Sequence, residues 1–347
     1  LCGESLPKPP AVPPKVKRPT YSQDWPNYNL AQTNEKDHFQ DLLADLCRTV
    51  PEPAPRPGRK PIPLADALFA AVFKVYSLLS ARRFTCDLEE AHRRGHISQM
   101  PHFNSVLNGL ENPAVTPILF DLIRQSALPL SAVEVDFAPD SSGFMTSRFV
   151  RWYDQKYGTV KQKHTWVKVH LICGVKTNIV TAVEIADMTA NDSPQLPALV
   201  DATAVGFKIR EVSADKAYLS EQNFQAVANH GGTLYSPFKT NTTARGGGLY
   251  EKMFHYFSLK REEYLQHYHK RSNVEATFSM TKRKFGDSLR SKSDAAMKNE
   301  ALAKILCHNL CCLISAWYEL GIEPIFGQTR PDDGKPRDLL RFPPSVG

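Results

Sequence analysis

Residues 268–282 read YHKRSNVEATFSMTK, which sets Tyr268, Arg271, Glu275 and Lys282 at the spacing Y-x2-R-x3-E-x6-K. A helix advances about 100° per residue, so Tyr268, Arg271 and Lys282 would all fall within about 40° of Glu275. One stripe would then carry a carboxylate between two cations and a phenol. A carboxylate can hold a divalent metal, and the cations beside it can grip the phosphates of a strand under attack. That combination points to chemistry on a nucleic-acid backbone. The plain alternative is a solvated helix with an Arg271 to Glu275 pair, which adds only about 0.3 kcal/mol. Two further carboxylates favour the functional reading. Asp140 lies in EVDFAPDSSGF and Asp215 in IREVSADKAYLS, each at or just beyond a short apolar run rich in β-formers.

On these residues the chain resembles the insertion-sequence transposases of the DDE class, in the families numbered four and five. Those families share an Asp-Ser-(Ser/Thr)-Gly motif, here residues 140–143, and an Asp followed by a small residue and Tyr, here residues 215–218. Their third element is the Tyr-Arg-Glu-Lys helix, here Tyr268, Arg271, Glu275 and Lys282. The resemblance runs through TWVKVHL and VTAVEIADMTAND into the last apolar helix, covering residues 130–320. It implies a ribonuclease H-like α/β domain, a mixed sheet flanked by helices, in which Asp140, Asp215 and Glu275 are catalytic and hold two Mg2+ or Mn2+ ions. It also implies hydrolysis and strand transfer at one site, on double-stranded DNA carrying transposon terminal repeats and on target DNA, by a homodimer. Arg271, Lys282 and Lys284 would meet phosphate and Tyr268 would orient the strand. A nuclease of the same fold without strand transfer, and a domesticated copy that binds without cutting, are the competing readings.

The chain has 347 residues, 42% of them hydrophobic, enough for a substantial core, and a net charge of +7. Between residues 256 and 293 nine Lys or Arg stand against four Asp or Glu, interleaved with aromatics. Such a segment suits phosphate and unpaired bases, although half of its aromatics are expected in the core. Seven cysteines form no secretory framework, and no uninterrupted apolar run reaches the ~20 residues of a membrane span. The chain therefore reads as reduced, cytoplasmic and nucleoid-associated, without a membrane partner. Cys307, His308, Cys311 and Cys312 lie on an apolar helix where small thiols pack as core, in preference to a zinc site.

The chain begins LCGESLPKPP, which lacks the apolar core of a signal peptide. Residues 1–63 hold 13 of the 26 prolines and are expected as extended linkers around one helix at NEKDHFQDLLADLCRTV, capped by Asn34. Residues 64–128 read as helical throughout. There CDLEEAHRR and PHFNSVLNGLE, separated by Gly95, suggest a helix-turn-helix with Arg82, Arg83, Arg93 and Arg94 toward DNA. A plain bundle with solvated arginines is the alternative.

Residues 129–321 form the expected catalytic domain. AVEVDFA, VKVHLICG and IVTAVEIA read as three consecutive strands with a turn at Lys176, Thr177 and Asn178. A helix behind an Asp192 cap, a strand at KIREVSADKAY, a helix at SEQNFQAVANHG and a strand at GTLYSPFK follow. This order would bring the first and fourth strands together with the glutamate helix across them. Asp136 and Asp140 share a face of one strand, with Pro139 disturbing it between them. The motif selects Asp140 and leaves Asp136 as a supporting group. Trp166, Lys168 and His170, and the basic loop SRFVRWYDQKYG with Trp152, are further candidates for DNA contact or for structural roles. GGGLYEKM reads as a flexible insertion, and residues 322–347 as a disordered tail.

Overall fold

The computed structural model describes residues 24–54, 57–58, 61–146, 166–186, 189–239, 242–244 and 247–326. The first proline-rich segment, the SRFVRWYDQKYG loop with Trp152, Arg245 and nearly all of the expected tail lie outside them.

Six helices come first: α1 (Trp25–Thr33), α2 (Glu35–Arg48), α3 (Leu64–Ser77), α4 (Thr85–Arg93), α5 (Phe103–Glu111) and α6 (Val115–Ala127). The region before residue 64 thus carries two helices where one was expected. The α1 sequence WPNYNLAQT has almost no apolar stripe, and its start is fixed by Asp24, whose Oδ1 accepts from the Asn27 amide at 3.2 Å. Asn34 makes no side-chain cap for α2; its Nδ2 donates to the Leu30 carbonyl at the end of α1 instead.

The sheet has five strands in the order β3-β2-β1-β4-β5. Strands β1 (Asp136–Met145), β2 (Trp166–Gly174) and β3 (Val180–Ala186) are antiparallel, while β4 (Glu211–Ser213) and β5 (Thr233–Tyr235) run parallel to β1. The β2–β3 turn is built on Glu134, a fully buried carboxylate that accepts from the Lys176 and Thr177 amides and the Thr177 hydroxyl. Pro139 does not end β1. In the parallel ladder β4 pairs only with Asp136 and Phe137, and among the described residues that edge of β1 is met again only by the bridge from Met145 to Ser288, so a residue without an N–H fits at position 139. Asp140 therefore stands inside a strand, opposite Leu171, not at its end.

Helices α7 (Leu196–Ala204), α8 (Glu221–Asn229), α9 (Gly248–Leu259), α10 (Arg261–Tyr268), α11 (Ser272–Phe285) and α12 (Asp294–Leu320) complete the order. The 27-residue α12 is long and apolar enough to cross a membrane by length and composition, which no uninterrupted apolar run in the sequence had suggested; 83% of its apolar window is buried inside the protein. It packs against α1, α2, α3, α5 and α6 on one side and against α11, β2 and β3 on the other. Cys307 and Cys312 are buried along it. One continuous apolar core consequently joins the N-terminal helices to the sheet.

Candidate active site

The signature residues do not share one uninterrupted helix. Tyr268 ends α10, residues His269–Arg271 form a 3-10 turn, and Glu275 and Lys282 belong to α11. The break turns the chain across β1 and β4 and delivers Arg271 to the acids. Its Nη1 donates to Glu275 Oε1 at 2.9 Å and its Nη2 stands 3.9 Å from Asp215 Oδ2. Burial disfavours the Arg271 charge, but Asp215, Tyr268, Asp140 and Glu275 more than offset it.

Asp140 comes from the middle of β1, and burial holds its carboxyl above the usual range. The Ser141 amide and Arg271 oppose that shift, whereas Glu275 and Asp192 reinforce it. Asp215 follows β4 and caps the short turn Lys216–Tyr218 by accepting from the Lys216 amide at 2.7 Å. Acids from β1, from the end of β4 and from α11 thus face one guanidinium.

Lys282 reaches back to β1, donating to Ser142 Oγ at 2.6 Å and to the Gly143 carbonyl at 2.9 Å. Burial lowers its pKa, against Asp287 and Asp140. Gly143 itself leaves room for the Trp166 ring: a Cβ there would lie 3.1 Å from Trp166 Cε3.

Asp136 is differently placed. It accepts from Arg210 Nε at 2.8 Å, Arg210 Nη2 at 2.6 Å and Lys270 Nζ at 2.9 Å. Burial opposes its ionisation, but hydrogen bonds from Arg210 and Lys270 win and lower its pKa. That carboxylate is committed to two cations at the start of the strand.

Sequence reasoning passed over a fourth acid beside the site. Asp192 does not cap the following helix with its side chain. It accepts instead from Ser141 Oγ at 2.9 Å and pairs with Lys168 Nζ at 2.7 Å, which ties the loop after β3 to the residue next to Asp140. Its position in a polar TANDSP run gave no periodicity to read. Lys168 is thereby occupied, and His170, fully buried with Nδ1 3.6 Å from Asp192, has no surface to offer a strand of DNA; Trp166 alone of the three is exposed. Both His170 ring nitrogens, the Tyr218 hydroxyl and Arg271 Nε are buried with no hydrogen-bond partner among the described residues.

The outlying candidates are not part of this cluster. Lys284 pairs with Glu35 of α2, so its ammonium is spent on holding α11 to the N-terminal helices and not on the acid face. Arg94 pairs with Asp37 at 2.7 Å, and Arg82 lies over the Phe103 ring at 5.4 Å, while Arg93 is exposed. Between α4 and α5 run residues 94–102, a longer connection than the 3–4-residue turn of a helix-turn-helix.

All-oxygen donors of this kind suit a hard divalent cation. Among the described residues, however, no three His, Cys, Asp or Glu side chains stand close enough together to hold one ion. Arg271 lies between two of the acids, and the residues fit a cation in donor type and charge once that guanidinium is displaced.

No curated protein matches this chain. Among solved structures it is similar to the piggyBac transposase in a synaptic complex with hairpin DNA, at 10% identity and a TM-score of 0.39, over 86% of this chain and 76% of that one. The family model described as the transposase DDE domain matches residues 133–310, just over half of the sequence and the whole of the stretch that carries Asp140, Asp215 and Glu275, and the chain belongs to that family.

Proposed function

We propose that this transposase cuts and joins DNA at transposon ends through Asp140, Asp215 and Glu275, set in a ribonuclease H-like domain spanning residues 129–321. The observation that carries this reading is the gathering of acids from three separate elements around Arg271. A structural ion pair needs one acid; three around one cation are costly unless a second positive charge arrives in the working state. Buried groups beside them that find no partner among the described residues, at His170 and Tyr218, support a site completed by a ligand.

Asp140, Asp215 and Glu275 would hold Mg2+ or Mn2+, which supplies Lewis acidity to the phosphodiester and lowers the pKa of an attacking water or 3′-hydroxyl. The chain's own groups do the rest. Arg271, released from the acids, meets the charge of the scissile phosphate. Lys282 fixes the Ser142 and Gly143 segment and with it the direction of Asp140. Tyr268, at the end of α10, steers the strand. Residues 64–128, with exposed Arg93, would read the end sequence, and two copies would hold two ends.

The test is nicking of an end-containing duplex in Mg2+, Mn2+, Ca2+ and EDTA, followed by joining of a pre-cleaved end to target DNA. Cutting in Mg2+ or Mn2+ and none in Ca2+ is expected, because the looser geometry of Ca2+ positions the nucleophile poorly. Glu275→Ala should still shift the duplex in a gel and leave it intact. Cutting in EDTA, or by Glu275→Ala, would refute the reading.

A further inference from the structure

Lys270 sits one residue before Arg271 and points the other way, onto the sheet. Its Nζ donates to Asp136 Oδ2 at 2.9 Å and to Glu211 Oε2 at 2.6 Å. Those two acids face one another across the parallel β1–β4 pair, where Asp136 and Glu211 are register partners. Arg210 braces Asp136 from outside, and His267 Nδ1 lies 3.0 Å from Glu211 Oε2 with its ring stacked on Tyr235 of β5. The Asp136 and Glu211 side chains are 8% and 12% exposed, so this cluster is set into the fold and is not a solvated surface pair.

The cluster occupies the point where α10 gives way to the 3-10 turn and α11 begins. In a 3-10 turn successive side chains are about 120° apart, so a residue clamped downward onto β1 and β4 fixes where its neighbour aims. Here the neighbour is Arg271, and the first turn of α11 that follows carries Glu275.

We propose that Lys270 is a positioning residue: clamped between Asp136 and Glu211, it fixes the break between α10 and α11 and so aims Arg271 and Glu275 at Asp140 and Asp215. This rests on the catalytic reading of those acids given above. It assigns Asp136 a function as the anchor of the lysine, and it explains why a charged residue at the start of β1 is buried with two cations.

The test compares wild type, Lys270→Arg, Lys270→Gln and Lys270→Met in the full chain. Three readouts are taken: amide hydrogen exchange without DNA, the gel shift of an end-containing duplex, and single-turnover nicking of pre-bound duplex. Lys270→Met should keep the gel shift, raise exchange at residues 269–275 and lower the nicking rate about 10- to 100-fold, the usual cost of losing a group that orients a ligand. Lys270→Gln should behave likewise if Met proves too poorly folded to assay, and Lys270→Arg should restore most of the rate. Asp136→Asn combined with Lys270→Met should lose no more than the larger single effect, because the two groups act in series. Unchanged exchange at residues 269–275, or a nicking rate equal to wild type, overturns the proposal. A wild type that never nicks refutes the catalytic reading instead, while the exchange measurement still reports on the clamp.

Discussion

Replacing Lys304 by Met should change how stability depends on pH, by an amount the structure allows to be worked out. Lys304 lies on α12, its side chain 2% exposed, and donates to the Gly286 and Ser288 carbonyls at 3.0 and 2.7 Å. Burial lowers its pKa from 10.5 to about 8, with Glu300 opposing. At neutral pH both folded and unfolded chains carry the proton, and the folded one bears the cost of the buried charge. Above pH 8 the folded chain releases that proton while the unfolded chain keeps it until about 10.5. Over that window the unfolded state binds more protons, so stability rises with pH, by up to about 1.4 kcal/mol per unit. A gap of some 2.5 units is worth about 3 kcal/mol. Met keeps the stem's packing and lacks the titration; the lost hydrogen bonds, about 1–3 kcal/mol each, are a pH-independent offset. Urea unfolding of both proteins at intervals from pH 7.5 to 10.5 isolates the effect, because groups that do not feel Lys304 titrate alike in both and cancel in the difference, while the Cys307 thiol, which does feel it, is held well above its usual pKa by burial. The stability of wild type minus that of Lys304→Met should grow by about 3 kcal/mol across the range. Parallel curves would refute the reasoning.

Asp140→Asn should abolish nicking and yet raise the thermal midpoint at neutral pH, since it removes a half-buried carboxylate whose charge desolvation and neighbouring acids disfavour. A gain of about 1 kcal/mol, or some 2 °C, is expected in a calorimetric scan, and a lower midpoint would count against a site held in electrostatic tension. Lys284→Ala should cost about 1–2 kcal/mol, because it strips Glu35, 10% exposed, of its cation while Tyr76 still donates to it. The salt dependence of DNA binding should be unaffected, and a slope shallower by about one with unchanged stability would return Lys284 to the DNA.

Much of this arrangement was readable from period and motif. Alternating runs gave β2 and β3 to within a residue, whereas β1, expected over 132–138, runs Asp136–Met145, and the Asp-Ser-Ser-Gly and Asp-x-x-Tyr motifs brought out two acids that the fold sets in β1 and just after the neighbouring β4. What stayed hidden depended on partners far away in sequence. Pro139 looked like a strand breaker because its tolerance follows from how short β4 is, which nothing near Pro139 reveals. Lys284 looked like one more cation in a basic segment; its pairing with Glu35 lies across 249 positions. Lys270 occupied an unspecified position in the signature, and its role appears only once Asp136 and Glu211 are side by side. The four signature residues fitted one ideal helix by arithmetic, but the Lys270 contact to the sheet breaks that helix between Tyr268 and Ser272.

Helix α12, packed by the N-terminal helices and by the sheet, has a mechanical meaning under the proposed division of labour, in which residues 64–128 read the DNA end and the acids cut it. Reader and blade would hang from one beam. The interval from recognition surface to acidic centre is then a fixed length, like the gap of a caliper, and a piece such as residues 64–128 taken alone would leave α3 and α6 without the helix they bury against. Helices and sheet share one core and should melt together, and on the proposed reading a lesion in the beam would disable the measuring and the cutting at once.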